Sequence, residues 1–411
     1  MEEKQVLLVT TTGDFLLKFQ REEVKLLQRM GYLVHYAANF HEPPYVQDRA
    51  AIEALGVKTH QIPIARSPFL FRDNLRALEG LLDLLDRYPI GALHCHTPVG
   101  GVLGRLAGRL YQKRKVVVLY TAHGFHFYRG APLKNWLAYY PVERWLARYT
   151  DLLAVINQED YRAARHFRLK PGGSLWRLPG VGLDRGKFHP PSPEKRRKLR
   201  RELGIGEEEF FLVSAGELNE NKNHQVILKA MALLRDRDPS RPLPRYAICG
   251  EGFARPRLEE AIRRLGLEGR AELWGHRRDM PRLLACADAT AFPSRREGLG
   301  MAGVESLAMG VPVLAADNRG TREYMEQGVN GFLCPWDDPE AFAAGMAALR
   351  GLGPGEREAM ARRCVDAARP FDKKYAAAVM ARAYREMDRK VRERRYGQPS
   401  SDQRGHGGVP A

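Results

Sequence analysis

The sequence predicts an α/β protein with two doubly wound parallel sheets, one in each half of the chain. Two series of short apolar runs alternate with amphipathic segments of helical periodicity. Several runs are apolar almost throughout, which is typical of parallel strands buried on both faces. Strand, helix and strand follow one another at the spacing of βαβ units.

The apolar runs predict the individual strands in chain order. In the first half they are residues 6–10, 33–37, 92–95, 116–120 and 152–156. In the second half they are residues 210–214, 246–249, 289–292 and 311–315. Periodic segments such as 21–30 and 225–234 predict the helices between them.

The pattern changes around residues 171–205, which are rich in proline and glycine and predict a linker. A basic, solvated helix is expected at 194–201. We therefore expect an N-terminal domain at 1–188 and a C-terminal domain at 189–373. The Gly/Ser/Pro/Gln-rich tail at 396–411 predicts disorder.

Composition excludes several classes of protein. The 411 residues are 44% hydrophobic and 28% charged, as in ordinary globular proteins. No apolar run approaches the roughly 20 residues of a membrane span, and the acidic N-terminus does not resemble a signal peptide. Five scattered cysteines without a CxxC pair favour a reducing cytoplasm over a disulfide framework or zinc site.

The net charge of +17 indicates an anionic partner or a basic bias of the surface. Nucleic acid, an anionic membrane and a phosphorylated substrate are the candidate partners. Because no zinc finger, basic zipper or aromatic RNA-binding motif is present, nucleic acid is the least supported of them.

The strongest motif follows the predicted strand 289–292. Gly298 and Gly300 allow a close backbone approach to a ligand, and a helix is expected to begin here. Its first N–H groups would form an anion site without a metal. Glu297 and Glu305, eight residues apart, flank this helix start. A glycine-rich loop with two solvated glutamates is the alternative interpretation.

A second motif, at 216–224, follows the strand 210–214. Lys222 would meet a phosphate as a point charge near a helix start. An ordinary βα loop with a surface lysine is the alternative. Neither GxGxxG nor GxxxxGK[ST] occurs at the first βα turn, which argues against a dinucleotide dehydrogenase and a P-loop NTPase.

The first half offers Gly13 after its first strand and several histidines after later ones. His123 closes a strand and precedes a glycine, which favours a catalytic or substrate-contacting role over a structural one. A zinc site formed by His94, His96, His123 and His126 is a weaker alternative, because no acidic or thiolate ligand accompanies it.

The segment 132–149 mixes aromatic with basic residues at helical spacing. Packing of this helix into the core is the favoured interpretation. Docking on an anionic membrane is the alternative.

Together these motifs resemble a known family. The chain is similar to retaining glycosyltransferases of family 4, the glycosyl transferases group 1, with the E-x7-E motif at Glu297–Glu305 within EGLGMAGVESLAMGVPV. Three segments resemble the bacterial exopolysaccharide and capsule subgroup: HCHTPVGGVLGRLAGR, YTAHGFHFYRGAPLKNWLAYYPVERWLARYTD and GELNENKNHQ.

The resemblance implies the GT-B fold, with two facing Rossmann-like domains and a C-terminal helix, here 374–392, that returns to the first domain. It implies transfer of a hexose or N-acetylhexosamine from a nucleotide diphosphate sugar, UDP-linked, to a glycan or lipid-linked acceptor in surface polysaccharide synthesis. The enzyme would be retaining, would need no metal or other cofactor, and would be cytoplasmic or peripheral on the inner face of the membrane.

The resemblance also implies roles for residues. Glu297 would contact the sugar hydroxyls, Lys222 the diphosphate, and Glu305 the ribose diol. The backbone of Gly298, Leu299, Gly300 and Met301 would lie near the sugar and diphosphate, with Gly250 and Glu217 also on the donor side. His123 would lie at the sugar and acceptor, and Gly13 in the phosphate-facing loop of the first domain. Many relatives carry arginine where this chain has Glu217. Without that arginine, Lys222 would have to neutralise more of the negative charge of the diphosphate.

Two other functions remain open at this stage. A sugar-nucleotide epimerase of similar fold would interconvert sugars without transferring them. A basic nucleic-acid-binding protein would bind random DNA with a steep salt dependence.

Overall fold

The computed structural model describes residues 3–41 and 48–396, which fold as two compact units. The first unit comprises the described residues of Met1–Val181 and Ala376–Ala411, and the second comprises Gly182–Tyr375. Within the described residues, no helix has both the length and the apolar composition to cross a bilayer. Apart from Tyr396, the tail that the sequence predicts to be disordered lies outside the described residues.

In the first unit the described strands form one sheet of seven, in the order β3-β2-β1-β4-β5-β6-β7, with every pair parallel. The strands are β1 (Lys4–Thr12), β2 (Tyr32–Asn39), β3 (Lys58–Gln61), β4 (Ile90–His96), β5 (Val117–Ala122), β6 (Leu152–Val155) and β7 (Ser174–Arg177). The helices are α1 (Asp14–Phe19), α2 (Arg21–Arg29), α3 (Arg49–Glu53), α4 (Phe71–Arg87), α5 (Pro98–Leu110), α6 (Leu133–Ala147) and α7 (Gln158–Ala164).

In the second unit the described strands form a parallel sheet of six, in the order β10-β9-β8-β11-β12-β13. The strands are β8 (Phe211–Ala215), β9 (Arg245–Cys249), β10 (Ala271–Gly275), β11 (Ala289–Phe292), β12 (Val313–Ala316) and β13 (Gly331–Cys334). The helices are α8 (Pro193–Glu202), α9 (His224–Arg237), α10 (Arg255–Arg264), α11 (Met280–Cys286), α12 (Met301–Ala308), α13 (Pro339–Gly351) and α14 (Pro354–Ala368), with short 3-10 turns at Thr321–Glu323 and Arg369–Phe371.

The last helix, α15 (Lys373–Tyr396), packs on the first unit from Ala376 onward. Tyr384 and Asp388 are buried there. The Tyr384 hydroxyl lies 2.9 Å from His94 Nδ1, and Asp388 accepts hydrogen bonds from Lys4 at 2.9 Å and Tyr32 at 2.8 Å. The returning helix implied by the family resemblance is therefore present.

The strands named from the sequence are all present, with ends shifted by a few residues. The structure adds β3, β7, β10 and β13, which the apolar runs did not predict. Each of these four is the outermost described strand of its sheet. The predicted doubly wound architecture is confirmed, and each sheet is wider than predicted.

The division between the two units falls within the predicted linker at 171–205, between Val181 and Gly182. Residues 174–177, which the prediction placed in the linker, instead form β7, which pairs with β6. The basic helix α8 is not solvated all round, because Arg196 and Arg200 donate hydrogen bonds to Asp288 at 2.7 and 3.1 Å. Arg196 and Arg200 therefore lie on a face of α8 that packs against the second unit, where the Asp288 carboxylate is largely buried.

The favoured prediction that the segment 132–149 packs into the core is also wrong for most of α6. Leu133 and Leu137 are 72% and 70% exposed, and Trp145 is 46% exposed. Within α6, only Leu146 and Ala147 at its end are buried. The helix thus presents most of its apolar side chains to solvent.

An ion-pair cluster around Asp151 fastens α15 to the first sheet. Asp151, whose side chain is 2% exposed, accepts hydrogen bonds from the Val118 N–H at 2.8 Å and from Lys170 at 3.0 Å. Arg394 of α15 pairs with the same carboxylate. Removing one partner from a buried ion pair is strongly destabilising, since it leaves the other charges without compensation.

We therefore expect Asp151→Asn to lower the free energy of unfolding of the first unit by about 3–5 kcal/mol, measured by urea denaturation. The matched control is Asp86→Asn, which breaks an exposed pair with Lys113 at 2.8 Å. That control is expected to cost about 0–1 kcal/mol. Equal small losses for both variants would show that the Asp151 cluster does not stabilise the unit.

Candidate functional site

The loops that carry the sequence motifs of the second unit lie at one edge of its sheet. Because all the strands are parallel, their carboxyl ends meet at a common edge. The loop after β8 contains Lys222, and the loop after the neighbouring strand β11 contains Glu297. In open α/β sheets this edge is where ligands bind.

The two residues predicted to be catalytic in this unit contact each other. Lys222 Nζ lies 2.6 Å from Glu297 Oε1, and the two side chains are only 22% and 15% exposed. The ammonium group also lies 5.4 Å from the centre of the Phe292 ring. The alternative of a solvated surface lysine therefore does not hold.

Backbone contacts fix the two loops relative to each other. Asn221 donates a side-chain hydrogen bond to the Arg296 carbonyl at 3.0 Å, and its own carbonyl accepts the Arg295 N–H at 2.8 Å. The Lys222 stem lies over Gly216, where an added Cβ would be 3.2 Å from Lys222 Cε. These contacts place the ammonium group, and the sequence did not predict the part that Asn221 plays in them.

The helix α12 begins directly after this pair, as the glycine-rich motif predicts. Its N-cap, Gly300, has φ 86°, a left-handed conformation that glycine adopts at little cost. A Cβ at this position would also lie 2.6 Å from the Phe292 ring. Leu299 is buried, and the first helical residue is Met301. The N–H groups of the first turn give this end of the helix a partial positive charge.

Gly320 and Arg319 support Glu297 from the loop after β12. A Cβ on Gly320 would lie 2.9 Å from Glu297 Cβ, and Arg319 Nε donates to the Glu297 carbonyl at 3.2 Å. Tyr324, which follows, donates its hydroxyl to the Gly300 carbonyl at 3.2 Å. Three consecutive loops of the sheet therefore hold the Glu297 segment in place.

Glu305 lies within α12 and is half-buried. Burial raises the pKa of its carboxyl to about 7, because a low dielectric disfavours the charged form. No side chain or backbone group of the described residues forms a hydrogen bond with this carboxyl, in contrast to the paired Glu297. A half-buried carboxyl without a protein partner is suited to accept hydroxyl groups of a ligand.

The other predicted donor residues of this unit lie in the loops after β8 and β9. Glu217 is exposed. At Gly250 an added Cβ would lie 1.8 Å from the Gly216 carbonyl oxygen, so only glycine allows these two loops to approach so closely. Gly250 therefore allows the loops after β8 and β9 to contact each other at the carboxyl edge of the sheet.

Gly13 and His123 belong to the first unit, separately from the residues above. Gly13 is the N-cap of α1 with a helical backbone, φ −66° and ψ −31°, and its N–H bonds to the Asn39 carbonyl at 3.3 Å. The conformation itself does not require glycine.

His123 follows β5 and contacts a second histidine. Its Nε2 lies 3.2 Å from Nδ1 of His96, and burial lowers the pKa of His123 to about 4. His94 is bonded through Nδ1 to Tyr384 and through Nε2 to Thr121, at 2.9 Å each. The His126 ring lies 4.6 Å from that of Tyr139. These histidines are not arranged as the zinc ligands that the sequence left open, and the described residues contain no group of three or more candidate metal ligands.

The chain matches two family models. Residues 195–369 match the model of glycosyl transferases group 1, and residues 18–172 match that of the glycosyl transferase 4-like domain. The matched segments fall on the second and first units respectively.

Three relatives illustrate the similarity. The putative glycosyltransferase EpsD of Bacillus subtilis is 41% identical over 341 residues, which are 83% of this chain and 86% of that protein. The UDP-Gal:alpha-D-GlcNAc-diphosphoundecaprenol alpha-1,3-galactosyltransferase of Escherichia coli is 26% identical over 280 residues, 68% of this chain and 71% of that one. Anabaena Alr3699/HepE, crystallised with UDP and glucose, superposes with a TM-score of 0.73 at 20% identity, covering 93% of this chain and 100% of that one.

The fold of the two sheets and the structural similarity confirm the GT-B architecture, and the sequence similarity confirms the family. The chain belongs to the glycosyl transferases group 1 family and is a glycosyltransferase.

Proposed function

We propose that the second unit binds a nucleotide diphosphate sugar and that the enzyme transfers the sugar with retention of anomeric configuration. The observation that carries this proposal is the Lys222–Glu297 pair of 2.6 Å placed beside the start of α12. A lysine and the amide groups of a helix start together match the charge of a diphosphate. UDP is the proposed nucleotide, since the Escherichia coli relative is named as a UDP-Gal galactosyltransferase and HepE was crystallised with UDP.

The proposed chemistry is departure of the nucleoside diphosphate from the anomeric carbon, while the acceptor hydroxyl forms the new bond from the same face and passes its proton to a leaving phosphate oxygen. Negative charge then grows on the leaving oxygens, where Lys222 and the first N–H groups of α12 stabilise it. Glu297 holds the ammonium group in position before the donor arrives and accepts hydrogen bonds from the sugar hydroxyls. Because these groups supply the positive charge, we propose that transfer needs no divalent metal. The sugar is a hexose or N-acetylhexosamine.

We expect Lys222→Ala and Glu297→Gln each to lower kcat by about 10²–10³, because each removes a charge that positions or stabilises the leaving diphosphate. Transfer from a panel of UDP-sugars is measured in excess chelator, where the wild-type enzyme should be fully active. The wild-type enzyme without acceptor should not interconvert the sugars, as an epimerase would.

The matched controls are Arg362→Ala and Glu358→Gln, which break an exposed pair of 2.6 Å in α14. Both are expected to keep wild-type turnover. Wild-type turnover in the two site variants would contradict the site assignment, and a strict requirement for manganese would contradict the metal-free chemistry.

Glu305 is proposed to accept the two ribose hydroxyls of the nucleotide. A pKa of about 7, raised above the ordinary value of 4.5 for a glutamate, means that the folded protein resists ionisation of this carboxyl. The contribution of Glu305 to stability is therefore present below pH 4.5 and is lost as the pH rises through 7. Binding of the hydroxyls favours the ionised form and should strengthen over the same range.

We expect Glu305→Gln to unfold at a higher temperature than the wild-type protein at pH 8 but at a similar temperature at pH 5. Donor affinity of the wild-type protein, measured by calorimetry, should rise between pH 6 and 8, whereas that of Glu305→Gln should stay low and flat. A pH-independent difference in melting temperature, or parallel affinity profiles, would show that Glu305 does not carry this ionisation.

For the acceptor, we propose a lipid-linked glycan of surface polysaccharide synthesis that the first unit meets at an anionic membrane surface. The support is a set of exposed apolar residues at the beginnings of α4 and α6. They are Phe69 at 71%, Phe71 at 74%, Leu133 at 72% and Leu137 at 70% exposure. Apolar groups with this exposure on a soluble domain mark an interaction surface.

The topology places this surface at the same sheet edge as His123. Buried residues of α4, α5 and α6 share one hydrophobic cluster, so the three helices cover the same face of the sheet. Since α4 follows β3 and α6 follows β5, both helices begin at the carboxyl edge of the sheet, where His123 follows Ala122. Exposed basic residues accompany them, Arg72 and Arg76 on α4 and Lys134 on α6, and these suit anionic lipid.

We expect the protein to float with vesicles that contain phosphatidylglycerol and not with pure phosphatidylcholine vesicles. The double variant Leu133→Ser/Leu137→Ser should lose most of this binding. The control is Leu110→Ser, which changes a leucine of 49% exposure at the opposite end of the helix layer, where α5 finishes. Flotation that does not depend on anionic lipid, or an equal loss in the control, would contradict the proposed surface.

A further inference from the structure

A chain of side-chain hydrogen bonds leads to His123 from the junction between α1 and α2. Gln20 Nε2 contacts His96 Nε2, and His96 Nδ1 lies 3.2 Å from His123 Nε2. Gln20 and His96 are buried, whereas His123 is half-buried. Nothing in the sequence motif at His123 indicates Gln20, which lies in a different part of the chain.

The side-chain amide of Gln20 determines which atom donates and which accepts in each of these hydrogen bonds. An amide nitrogen donates and does not accept, so His96 Nε2 is the acceptor. A neutral imidazole that accepts at Nε2 carries its proton at Nδ1 and donates from there. His123 Nε2 must then accept, which leaves the proton of His123 on its Nδ1. Burial lowers the pKa of both rings, so both are neutral near pH 7.

Glu23 accounts for the orientation of the Gln20 amide. Burial raises the pKa of the Glu23 carboxyl to about 8, and a smaller lowering of this pKa comes from the neighbouring Gln20 side chain. Gln20 Oε1 and Glu23 Oε2 are buried oxygens that have no hydrogen-bond partner among the described residues. A proton held on Glu23 Oε2 would satisfy both oxygens in a paired acid–amide contact, and the remaining amide N–H would face His96.

Packing holds the rings in the same arrangement. The Phe15 ring meets His123 edge-on at 5.2 Å and lies 5.7 Å from His96. The His96 ring also lies 4.0 Å from His94, which Thr121 and Tyr384 hold by hydrogen bonds. His96 is therefore held by two neighbouring rings, Phe15 and His94, and by hydrogen bonds at both nitrogens.

We propose that Gln20 and His96 are positioning residues that fix His123 in the Nδ1-protonated tautomer, so that its Nδ1–H donates to the substrate. Among the described residues nothing accepts from this nitrogen, which leaves it available to a hydroxyl of the sugar or acceptor. The inference deepens the proposed function and rests on it for the identity of that partner.

The first test measures the tautomer without any substrate. Nitrogen-15 NMR of the histidine rings in the full-length protein identifies the protonated nitrogen of His123, with His123→Asn for assignment. We expect Nδ1 protonation between pH 6 and 8 in the wild-type protein and in Gln28→Met. Gln28 is the matched control, because it lies on α2 and donates to the Leu55 carbonyl at 2.6 Å. Gln20→Met should show a mixture of tautomers.

The second test compares kinetic constants. Gln20→Met and His96→Leu should each lower kcat about tenfold with less than a twofold change in donor affinity. His96→Asn should restore most of the rate, because an asparagine amide N–H can take the place of the imidazole Nδ1–H. Gln28→Met should leave the rate unchanged.

Three results would overturn the proposal. They are an Nε2-protonated His123 in the wild-type protein, an unchanged tautomer in Gln20→Met, and equal rate losses in Gln20→Met and Gln28→Met. Failure of the proposed function is distinguishable, because the wild-type protein would then transfer no sugar from the panel of UDP-sugars while the tautomer result would stand by itself.

Discussion

The parallel direction of the strands is the constraint on which the rest of the structure depends. In a parallel sheet every strand ends at the same edge, and every crossover helix begins there. Loops that are far apart in sequence therefore meet. The loops of Lys222 and Glu297 are an example, since these two residues contact each other although they are 75 positions apart in the sequence. The same constraint brings Gln20, His96 and His123 together at the edge of the first sheet. The residues of such a site lie at the ends of hydrogen-bonded strands. Because the strands hold these residues in place, the loops that carry them can be short.

The central strands could be predicted from the sequence because they are covered on both faces. Residues 6–9 of β1 and 117–119 of β5 are buried without interruption, so they read as apolar runs. An outermost strand has one free edge and fewer covering helices, and it tolerates polar residues. Lys58–Gln61 of β3 contains only polar or charged side chains, whereas the apolar part of β13 is only the three residues 332–334. Apolar runs therefore do not indicate strands that are this polar or this short.

The residues of the candidate site could be predicted from the sequence, but the contacts that they make with one another could not. Glycine spacing and the position after a strand indicated Glu297, Lys222 and the start of α12. Whether Lys222 was solvated or paired depended on a neighbour in another loop, which no local pattern encodes. The exposure of α6 was mispredicted for a related reason: its mixture of aromatic and basic residues is compatible with either a buried or a solvent-facing helix. Some of the arginines proved to be structural, since Arg105 and Arg394 form ion pairs with the largely buried carboxylates of Glu143 and Asp151.

The position of α15 has a consequence for the order in which the molecule can be completed. Asp151 and His94 gain Arg394 and Tyr384 as partners only after the ribosome has made these late residues of α15. All of Gly182–Tyr375 is synthesised before that point. During translation Asp151 and His94 each lack one partner, although Lys170 and Thr121 are already present, while the second unit already has all of its own residues. A nascent chain arrested between residues 375 and 384 therefore contains all of Gly182–Tyr375 but lacks the Tyr384 and Arg394 side chains that complete the first unit.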